Sequence, residues 1–400
     1  MKRLLLVCCL LASFACTKDP AEISDRRTDE KVVVVGNPAS EVAQKGTLAI
    51  KLSPEGARAV AAAQDALPKT RGGVATRSGV TDLDGVLQQI GAEKFERIIA
   101  YDPDWEAAYD DTGINRWYRV DFDDEVALAE AGRLLGAQPE VAVVEYTINP
   151  KYRRPTSVGP ARPITAENVV PAVKTRAISP GMNDPLLHYQ WHYENPGPAG
   201  YDEFKTKPVA GADINLYDAW SLCKGNSGII VAVIDEPVQT THPDLAANLW
   251  SNPSNPSEHG YNFWNQSEKL DWTTAYYDKT YGWEYADHGT HVAGVIAAVN
   301  NNGVGVCGVA GGNNGNGVKI MSCQIMGYSD ANAAADADVK AFEYAWKNGA
   351  VIAQNSWGYQ DLISRKDWLD KNNKEFVLLR EAIDTFIKYA GSKDPNSPLK

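Results

Sequence analysis

A run of apolar residues that ends in an aspartate constrains the fold of this 400-residue chain more than any other feature. Residues 228–235 read Gly-Ile-Ile-Val-Ala-Val-Ile-Asp, with six consecutive β-branched or small apolar side chains before the acid. Such a run predicts a strand buried on both faces, as in a parallel α/β sheet. Active sites of open α/β folds collect at the carboxyl ends of these strands, so Asp235 is a candidate catalytic residue. Taken alone, an Asp in this position is typical of a turn or a helix cap.

A second motif carries an imidazole at the start of a predicted helix. Residues 287–298 read Asp-His-Gly-Thr-His-Val-Ala-Gly-Val-Ile-Ala-Ala, which predicts a helix beginning near His288. Its small residues allow close approach by other backbone, and its dipole should disfavour a protonated His288. This position suits a general base. His288 and His291 lack the intervening Glu and the i+4 spacing of a zinc-binding helix, so we predict no metal site there.

Together these motifs, with His-Pro-Asp-Leu at 242–245, resemble the Asp and His blocks of the subtilisin-like serine proteases, whose chain order is Asp, His, Ser. The resemblance implies that Asp235 orients the imidazole and that His288 is the general base. It also implies an α/β fold with a doubly wound, mostly parallel sheet. The chain departs from the family at Glu236 and Pro237, where a small hydroxyl residue and a Gly usually follow the Asp.

A third block, residues 351–358, is similar to the family strand whose edge pairs with substrate backbone. By this resemblance Ser356, Trp357 and Gly358 are candidate substrate-binding residues, because an extended peptide can add to a sheet edge through main-chain hydrogen bonds. On its own, the block also fits an ordinary exit from a strand into a loop.

The family's nucleophile block, Gly-Thr-Ser-Met-Ala, and its oxyanion block, Ala-Gly-Asn, do not occur in the 400 residues. Ser356 is a poor substitute, because it lacks the glycine of a nucleophile elbow and already matches the substrate strand. We therefore expect residues 181–400 to be a peptidase domain truncated before its Ser block, inactive by itself, in a serine endopeptidase precursor. The alternative is a catalytically inactive, surface-anchored binding protein or degenerate protease. Retention of both Asp235 and His288 favours the protease.

The N-terminus has the pattern of an export signal. Residues 1–16 combine a basic Lys2-Arg3 start with an apolar stretch that is too short to span a bilayer. The stretch ends at Cys16 and resembles a bacterial lipobox, which implies lipid attachment to Cys16 and a place in the cell envelope. Ordinary secretion with cleavage nearby is the alternative. Residues 17–45 are polar and are predicted to be a tether.

Residues 46–150 are predicted to form a small α+β domain. The predicted strands cover residues 47–52, 117–122 and 141–146, and the predicted helices cover 54–66, 83–90 and 125–135. This order fits a ferredoxin-like, split βαβ sandwich. Its position resembles that of the inhibitory prodomain of secreted subtilases, and a generic adhesive domain is the alternative. Residues 151–180 are Pro-rich and basic and are predicted to be a linker that contains the maturation site. Farther along, helices are predicted over 212–220, 331–348 and 375–390, and a strand over 318–323.

Composition excludes one class of partner and leaves others open. A net charge of −12 argues against nucleic acid, so the expected partners are a polypeptide substrate, the chain's own prodomain and a membrane reached through the lipid anchor. No cofactor is predicted with certainty. Calcium is a candidate by the family resemblance, without support from ligand spacing. Cys223, Cys307 and Cys323 fit either one disulfide plus a free thiol or three buried thiols.

Overall fold

The apolar run that ends at Asp235 forms an inner strand of a parallel sheet in the computed structural model of the protein, which describes residues 34–66, 77–155, 181–197, 209–278, 282–327, 334–359 and 376–392. These residues belong to one compact unit, Val32–Leu399. Its described strands are β1 Val34–Val35, β2 Ala43–Leu52, β3 Ala92–Arg97, β4 Trp117–Phe122, β5 Val141–Ile148, β6 Arg153–Pro155, β7 Ile230–Asp235, β8 Gly260–Asn262, β9 Ala275–Asp278, β10 Gly282–Tyr285, β11 Lys319–Gln324, β12 Ile352–Asn355 and β13 Trp357–Tyr359. Its described helices are α1 Pro54–Ala66, α2 Thr81–Gln89, α3 Glu106–Thr112, α4 Leu128–Gly136, α5 Leu216–Leu222, α6 His288–Ala297, α7 Ala337–Lys347 and α8 Val377–Tyr389.

The sheet that contains Asp235 has the order β12-β7-β11-β8, and its neighbouring strands run parallel. In β7, Val231 and Val233 belong to a core cluster with side chains of α6. Ala232 and Ile234 belong instead to a cluster with side chains of α7. Because successive strand residues point to opposite faces, these two clusters cover both sides of the strand. The prediction of an α/β fold with a parallel sheet is confirmed.

The N-terminal part forms a second sheet, of order β1-β5-β2-β4-β3. β2 pairs antiparallel with β4 and β5, β3 pairs antiparallel with β4, and β1 pairs parallel with β5. Leu48 and Ile50 of β2 pack in a cluster with side chains of α1, α2 and α4. Ala49 packs in the cluster that holds α7 and α8. This sheet is therefore also covered on both faces, by its own helices and by helices from the C-terminal half.

The strands and helices of this N-terminal part agree closely with the predictions at α1 and β4, whose bounds are the predicted ones. Besides β1, the strand β3 and the helix α3 were not predicted. In β3, charged residues surround Phe95, the one residue of the strand that is fully buried, so the segment has no apolar run. α3 spans only seven residues, too few for a helical period to show.

The prediction that residues 17–45 form a tether is wrong for their C-terminal part. Val34 pairs with Val144 of β5, Val35 is 3% exposed, and β2 begins at Ala43. The short valine run thus adds a parallel strand to a sheet edge that would otherwise be unpaired. The signal segment 1–16, with Cys16, lies outside the described residues.

The helix predicted over residues 212–220 begins later, at Leu216. Asp213 accepts hydrogen bonds from the backbone N–H of Asn195 at 2.8 Å and of Asn215 at 2.8 Å. Asn215 itself is left-handed, with φ of 51°. A side chain that satisfies nearby N–H groups competes with helix formation, which delays the start of α5.

Polar contacts connect the N-terminal sheet to α8. Lys51 forms a salt bridge with Glu381 at 2.7 Å, and Trp117 Nε1 donates to the same carboxylate at 2.7 Å. Glu145 of β5 accepts a hydrogen bond from the backbone N–H of Leu378 at 3.0 Å, within the first turn of α8. Burial raises the pKa of Glu145 to about 8; the charges of Glu381 and Asp338 act in the same direction, whereas the N–H bonds oppose the shift.

None of the helices in the described ranges has the length and apolar character needed to cross a bilayer.

The raised pKa of Glu145 predicts a loss of stability as the pH rises. A carboxyl whose pKa is about 8 in the folded protein, above its value near 4.5 when unfolded, contributes fully below pH 4.5 and loses its contribution as the pH rises to about 8. The slope is at most about 1.4 kcal/mol per pH unit. We expect Glu145→Gln to flatten the dependence of the unfolding free energy on pH between 5 and 8, measured by urea denaturation. Glu125→Gln, at an exposed position of the same part, is the control; equal slopes in wild type and Glu145→Gln would contradict the prediction.

Candidate active site

Asp235 lies at the carboxyl end of β7, in the interior of the sheet. Its side chain is 0% exposed, and it stands in register with Gln324, the last residue of the neighbouring β11. The backbone carbonyl of Asp235 accepts a hydrogen bond from Ile325 N–H at 2.9 Å. The sheet thus fixes the backbone of Asp235 at the carboxyl end of β7, as the sequence predicted.

His288 is the first residue of α6, as predicted, and its ring meets Asp235. The Nδ1 atom of His288 lies 2.6 Å from Oδ1 of Asp235, and the imidazole side chain is only 12% exposed. Because an ionised carboxylate only accepts hydrogen bonds, Nδ1 is the donor and carries a proton. In the neutral ring, Nε2 is then the basic nitrogen. The two side chains form an oriented acid–base pair, which we call the dyad.

The close approach of α6 to the end of β7 depends on small residues. A Cβ atom on Gly289 would lie 2.0 Å from the carbonyl oxygen of Glu236 and 3.0 Å from that of Pro237. Farther along the helix, Ala293 and Ala297 are both fully buried in the cluster with β7. The expectation that small residues let other backbone approach this helix is therefore confirmed. It holds most strictly at Gly289, where any side chain would collide.

Glu236, which the sequence marked as a departure from the family pattern, lies in the site. Its carboxylate Oε2 accepts the backbone N–H of His288 at 3.0 Å, and its own N–H donates to Asp235 Oδ1 at 2.7 Å. The residue is 5% exposed. The sequence did not predict that Glu236 contacts His288, because the two residues lie far apart along the chain. The available signal was its type, since an acid suits the N-terminus of a helix.

The helix dipole led us to expect a lowered pKa for His288, but the net shift of this pKa is upward. Burial does lower the pKa of His288, but the hydrogen bond from His288 to Asp235 and the charges of Asp235, Glu236 and Asp287 raise it above its ordinary value. Three carboxylates around the first turn therefore outweigh the effect of burial on this pKa. The imidazole is a stronger base than the sequence suggested.

The predicted substrate strand starts beside the dyad. Asn355, the last residue of β12, pairs with Ile234, which directly precedes Asp235. Ser356 follows, and its Oγ accepts a hydrogen bond from Gln354 Nε2 at 2.7 Å. Trp357 and Gly358 belong to β13, which has separated from the parallel sheet. Ser356, Trp357 and Gly358 thus leave the sheet at the carboxyl end of its strands, where Asp235 also lies.

Strand β13 already has a partner, the short strand β6. Trp357 pairs with Pro155 and Gly358 with Arg154 in an antiparallel ladder. The first residues of the predicted linker 151–180 are therefore not a free connection, since they form the turn Pro150–Tyr152 and then β6. An extended segment of the chain itself occupies the edge that was predicted to bind substrate.

Arg153 holds β6 in place. Its side chain is fully buried; it contacts Asp338 at 3.2 Å, donates to the carbonyl of Ile325 at 3.0 Å, and donates to the hydroxyl of Tyr359 at 3.0 Å. Tyr359 in turn donates to Asp338 at 2.9 Å. A buried guanidinium is tolerated only with charged and hydrogen-bonding partners such as these. From sequence, Arg153 looked like an exposed basic linker residue, and that interpretation is wrong.

The predictions for cysteines and metal ligands can also be compared with the described residues. Cys223, Cys307 and Cys323 are all free thiols. Cys223 is exposed, so neither the disulfide nor a set of three buried thiols describes them fully. Within the described ranges, no group of three or more His, Cys, Asp or Glu side chains could hold a metal ion.

Comparison with known proteins places this geometry in context. Residues 226–391 match the profile of Peptidase_S8, the subtilase family. Neuroendocrine convertase 2 of Homo sapiens is 35% identical over 132 residues, which are 32% of this chain and 18% of that protein. The thermophilic serine proteinase of Bacillus sp. (strain AK1) is 31% identical over 140 residues, 35% of this chain and 28% of that protein. A solved structure of a protease from Pseudoalteromonas arctica PAMC 21717 shares 23% identity at a TM-score of 0.32, over 51% of this chain and 55% of that one. The matched segments cover less than a third of either curated relative.

Two glycines of α6 provide a matched test of the close approach. We expect Gly289→Ala to lower the unfolding free energy by about 1–3 kcal/mol, because the new Cβ collides with the carbonyl of Glu236. Gly294→Ala has open space around its Cβ and should be neutral or stabilise by up to about 1 kcal/mol, through helix propensity. Urea denaturation of both variants makes the comparison. Equal effects of the two substitutions would show that the contact at Gly289 does not matter.

Proposed function

Because residues 226–391 match the profile of the subtilase family, we propose that the chain is the precursor of an exported serine endopeptidase whose dyad is the Asp-His part of an Asp-His-Ser triad. One observation carries the proposal. The Nδ1 atom of His288 lies 2.6 Å from a buried Asp235 carboxylate at the carboxyl edge of a parallel sheet. A binding protein that only kept the fold would have no chemical need for this oriented pair.

The roles of the dyad follow from its geometry. Asp235 keeps the proton of the neutral imidazole on Nδ1, so that Nε2 can take a proton from a serine hydroxyl as that hydroxyl attacks a peptide carbonyl. Asp235 then stabilises the imidazolium that forms. His288 returns the proton to the leaving amine, so it acts first as base and then as acid. The nucleophile is not assigned to any of these 400 residues.

The proposed substrate is an extended polypeptide that adds to the edge formed by Ser356, Trp357 and Gly358. The support is the ladder between β13 and β6, in which a peptide segment pairs with Trp357 and Gly358 through main-chain contacts. Recognition by strand addition takes most of its affinity from the backbone. The site therefore suits a polypeptide of extended conformation, with selectivity left to side-chain pockets.

We propose that the 46–150 region is an inhibitory, ferredoxin-like prodomain. Its main strands have the order β5-β2-β4-β3 in an antiparallel arrangement, with α1, α2 and α4 packed on one face. Its opposite face packs against α7 and α8. Directly after it, Arg153 anchors β6 on the candidate substrate edge. A domain that docks on the peptidase and delivers a strand to that edge would block substrate until the linker is cut. The proposal retains export, with Cys16 as the lipid attachment site and maturation within 151–180.

The dyad is tested by substitution in protein produced from its complete reading frame. We expect Asp235→Asn and His288→Ala each to reduce kcat for an extended peptide substrate by about 10⁴-fold, because each removes general-base chemistry. Asp218→Asn, at an exposed position of α5, should leave kcat unchanged. A fluorophosphonate probe followed by peptide mapping identifies the serine that reacts. Binding of the peptide without hydrolysis by the wild-type protein, with no labelled serine, would support the alternative of an inactive binding protein.

Occupancy of the edge by β6 is tested through Arg153. Removing one partner of a buried ion pair costs about 3–5 kcal/mol, so Arg153→Ala should release β6 from β13. We expect the uncut chain to hydrolyse a peptide about tenfold faster or more, and backbone amides of β13 to exchange faster with deuterium. Lys151→Ala removes an exposed charge two residues away and is the control. If both variants behave like the wild type, β6 does not block the site.

A further inference from the structure

Glu236 contacts both members of the dyad. Its N–H donates to Asp235 Oδ1 at 2.7 Å, and this oxygen also accepts the proton of His288 Nδ1 at 2.6 Å. Its carboxylate Oε2 accepts the backbone N–H of His288 at 3.0 Å. One residue therefore binds the acid through its backbone and the base through its side chain. The proposed triad mechanism assigns no role to Glu236, although it contacts both Asp235 and His288.

The hydrogen bond from His288 N–H takes the place of a local helix cap. The first N–H groups of a helix have no partner inside the helix and need an acceptor from outside. Asp287, the residue directly before α6, makes no side-chain cap hydrogen bond. The acceptor comes instead from Glu236, which directly follows β7. The start of the helix is therefore fastened to the end of the strand that carries Asp235.

Backbone packing strengthens this connection. The carbonyl oxygen of Glu236 lies 2.0 Å from where a Cβ on Gly289 would be, so the chain around Glu236 is in direct contact with the first turn of α6. Glu236 itself is 5% exposed, and the long side chain has little room for other conformations. Backbone and carboxylate thus hold the same turn from two directions.

We propose that Glu236 is a positioning residue that fixes the imidazole of His288 against Asp235 by holding the first N–H of α6. The inference rests on the proposed function, because it assigns to Glu236 the placement of that general base. Its hydrogen bonds include those to Asp235 and His288. It acts through His288, and it replaces the small residue that the family pattern has at this point.

A carboxylate in this position also acts on the base electrostatically. The described charges that raise the pKa of His288 are Asp235 and Glu236 at the end of β7 and Asp287 before α6, in opposition to burial. A base with a raised pKa is neutral, and therefore active, only at higher pH. Glu236 thus shifts the acid limb of the pH profile of kcat/KM towards alkaline pH, which a purely structural cap would not do.

Three variants separate the two effects in protein produced from the complete reading frame. Glu236→Gln keeps an oxygen that can accept His288 N–H but removes the charge, and Glu236→Ala removes both. Glu268→Gln, at an exposed position between β8 and β9, is the matched control. The measurements are the pH profile of kcat/KM for an extended peptide and the titration of the His288 ring, followed by ¹⁵N NMR.

The proposal expects the following results. Glu236→Gln shifts the acid limb and the His288 titration to lower pH, with a plateau of kcat/KM within about threefold of wild type. Glu236→Ala gives the same shift and also lowers the plateau by about fivefold to tenfold, the value of one helix cap. Glu268→Gln changes neither. If Glu236→Ala fails to fold, the charge effect is still decided by Glu236→Gln, which has nearly the same shape.

The outcomes distinguish this inference from the proposed function. An unchanged His288 titration in Glu236→Gln together with an unchanged plateau in Glu236→Ala would overturn the role of Glu236, whether or not the protein hydrolyses peptides. A shifted titration in a protein that hydrolyses nothing would overturn the proposed function and leave the coupling of Glu236 to His288 intact.

Discussion

The contact between the first turn of α6 and the backbone after β7 is the constraint on which the site depends. Asp235 and His288 come from different elements, and a hydrogen bond of 2.6 Å between them requires that the helix start directly against the strand end. Only a residue without a side chain fits at Gly289, because the carbonyl oxygen of Glu236 would lie 2.0 Å from an added Cβ. A larger side chain at Gly289 would displace the first turn of α6, because a close-packed interior transmits such a displacement to neighbouring residues. The chemistry of the dyad is therefore set by a steric property of its neighbour.

The sequence predicted the parts of the site that local patterns encode. An apolar run followed by Asp235, and a helix of small residues opened by His288, are each visible within a dozen positions. Both predicted positions were accurate because the strand and helix periods dictate them. The bounds of α1, an Ala-rich stretch, and of β4 were likewise predicted from local sequence.

What the sequence could not predict arises from contacts between distant residues. Arg153 seemed an exposed linker residue, because its partners Asp338 and Tyr359 lie far along the chain. The pKa of His288 was judged from the helix dipole alone, whereas the carboxylates that decide its direction come mostly from the end of another element. β3 was missed because its burial on one side is supplied by the rest of the fold. In each case the deciding interaction is long-range, and periodicity carries no information about it.

The ladder between β6 and β13 has a consequence for how the edge is shared with other molecules. Both strands belong to one chain, so their pairing is unimolecular and its occupancy does not depend on protein concentration. A tethered segment faces its site at an effective concentration on the order of millimolar. If this edge binds substrate as proposed, a free peptide must compete against that value while the chain is continuous. A single cut after Pro155 would turn the same pairing into a bimolecular equilibrium, and β6 would then leave the edge only when the N-terminal sheet also leaves α7 and α8.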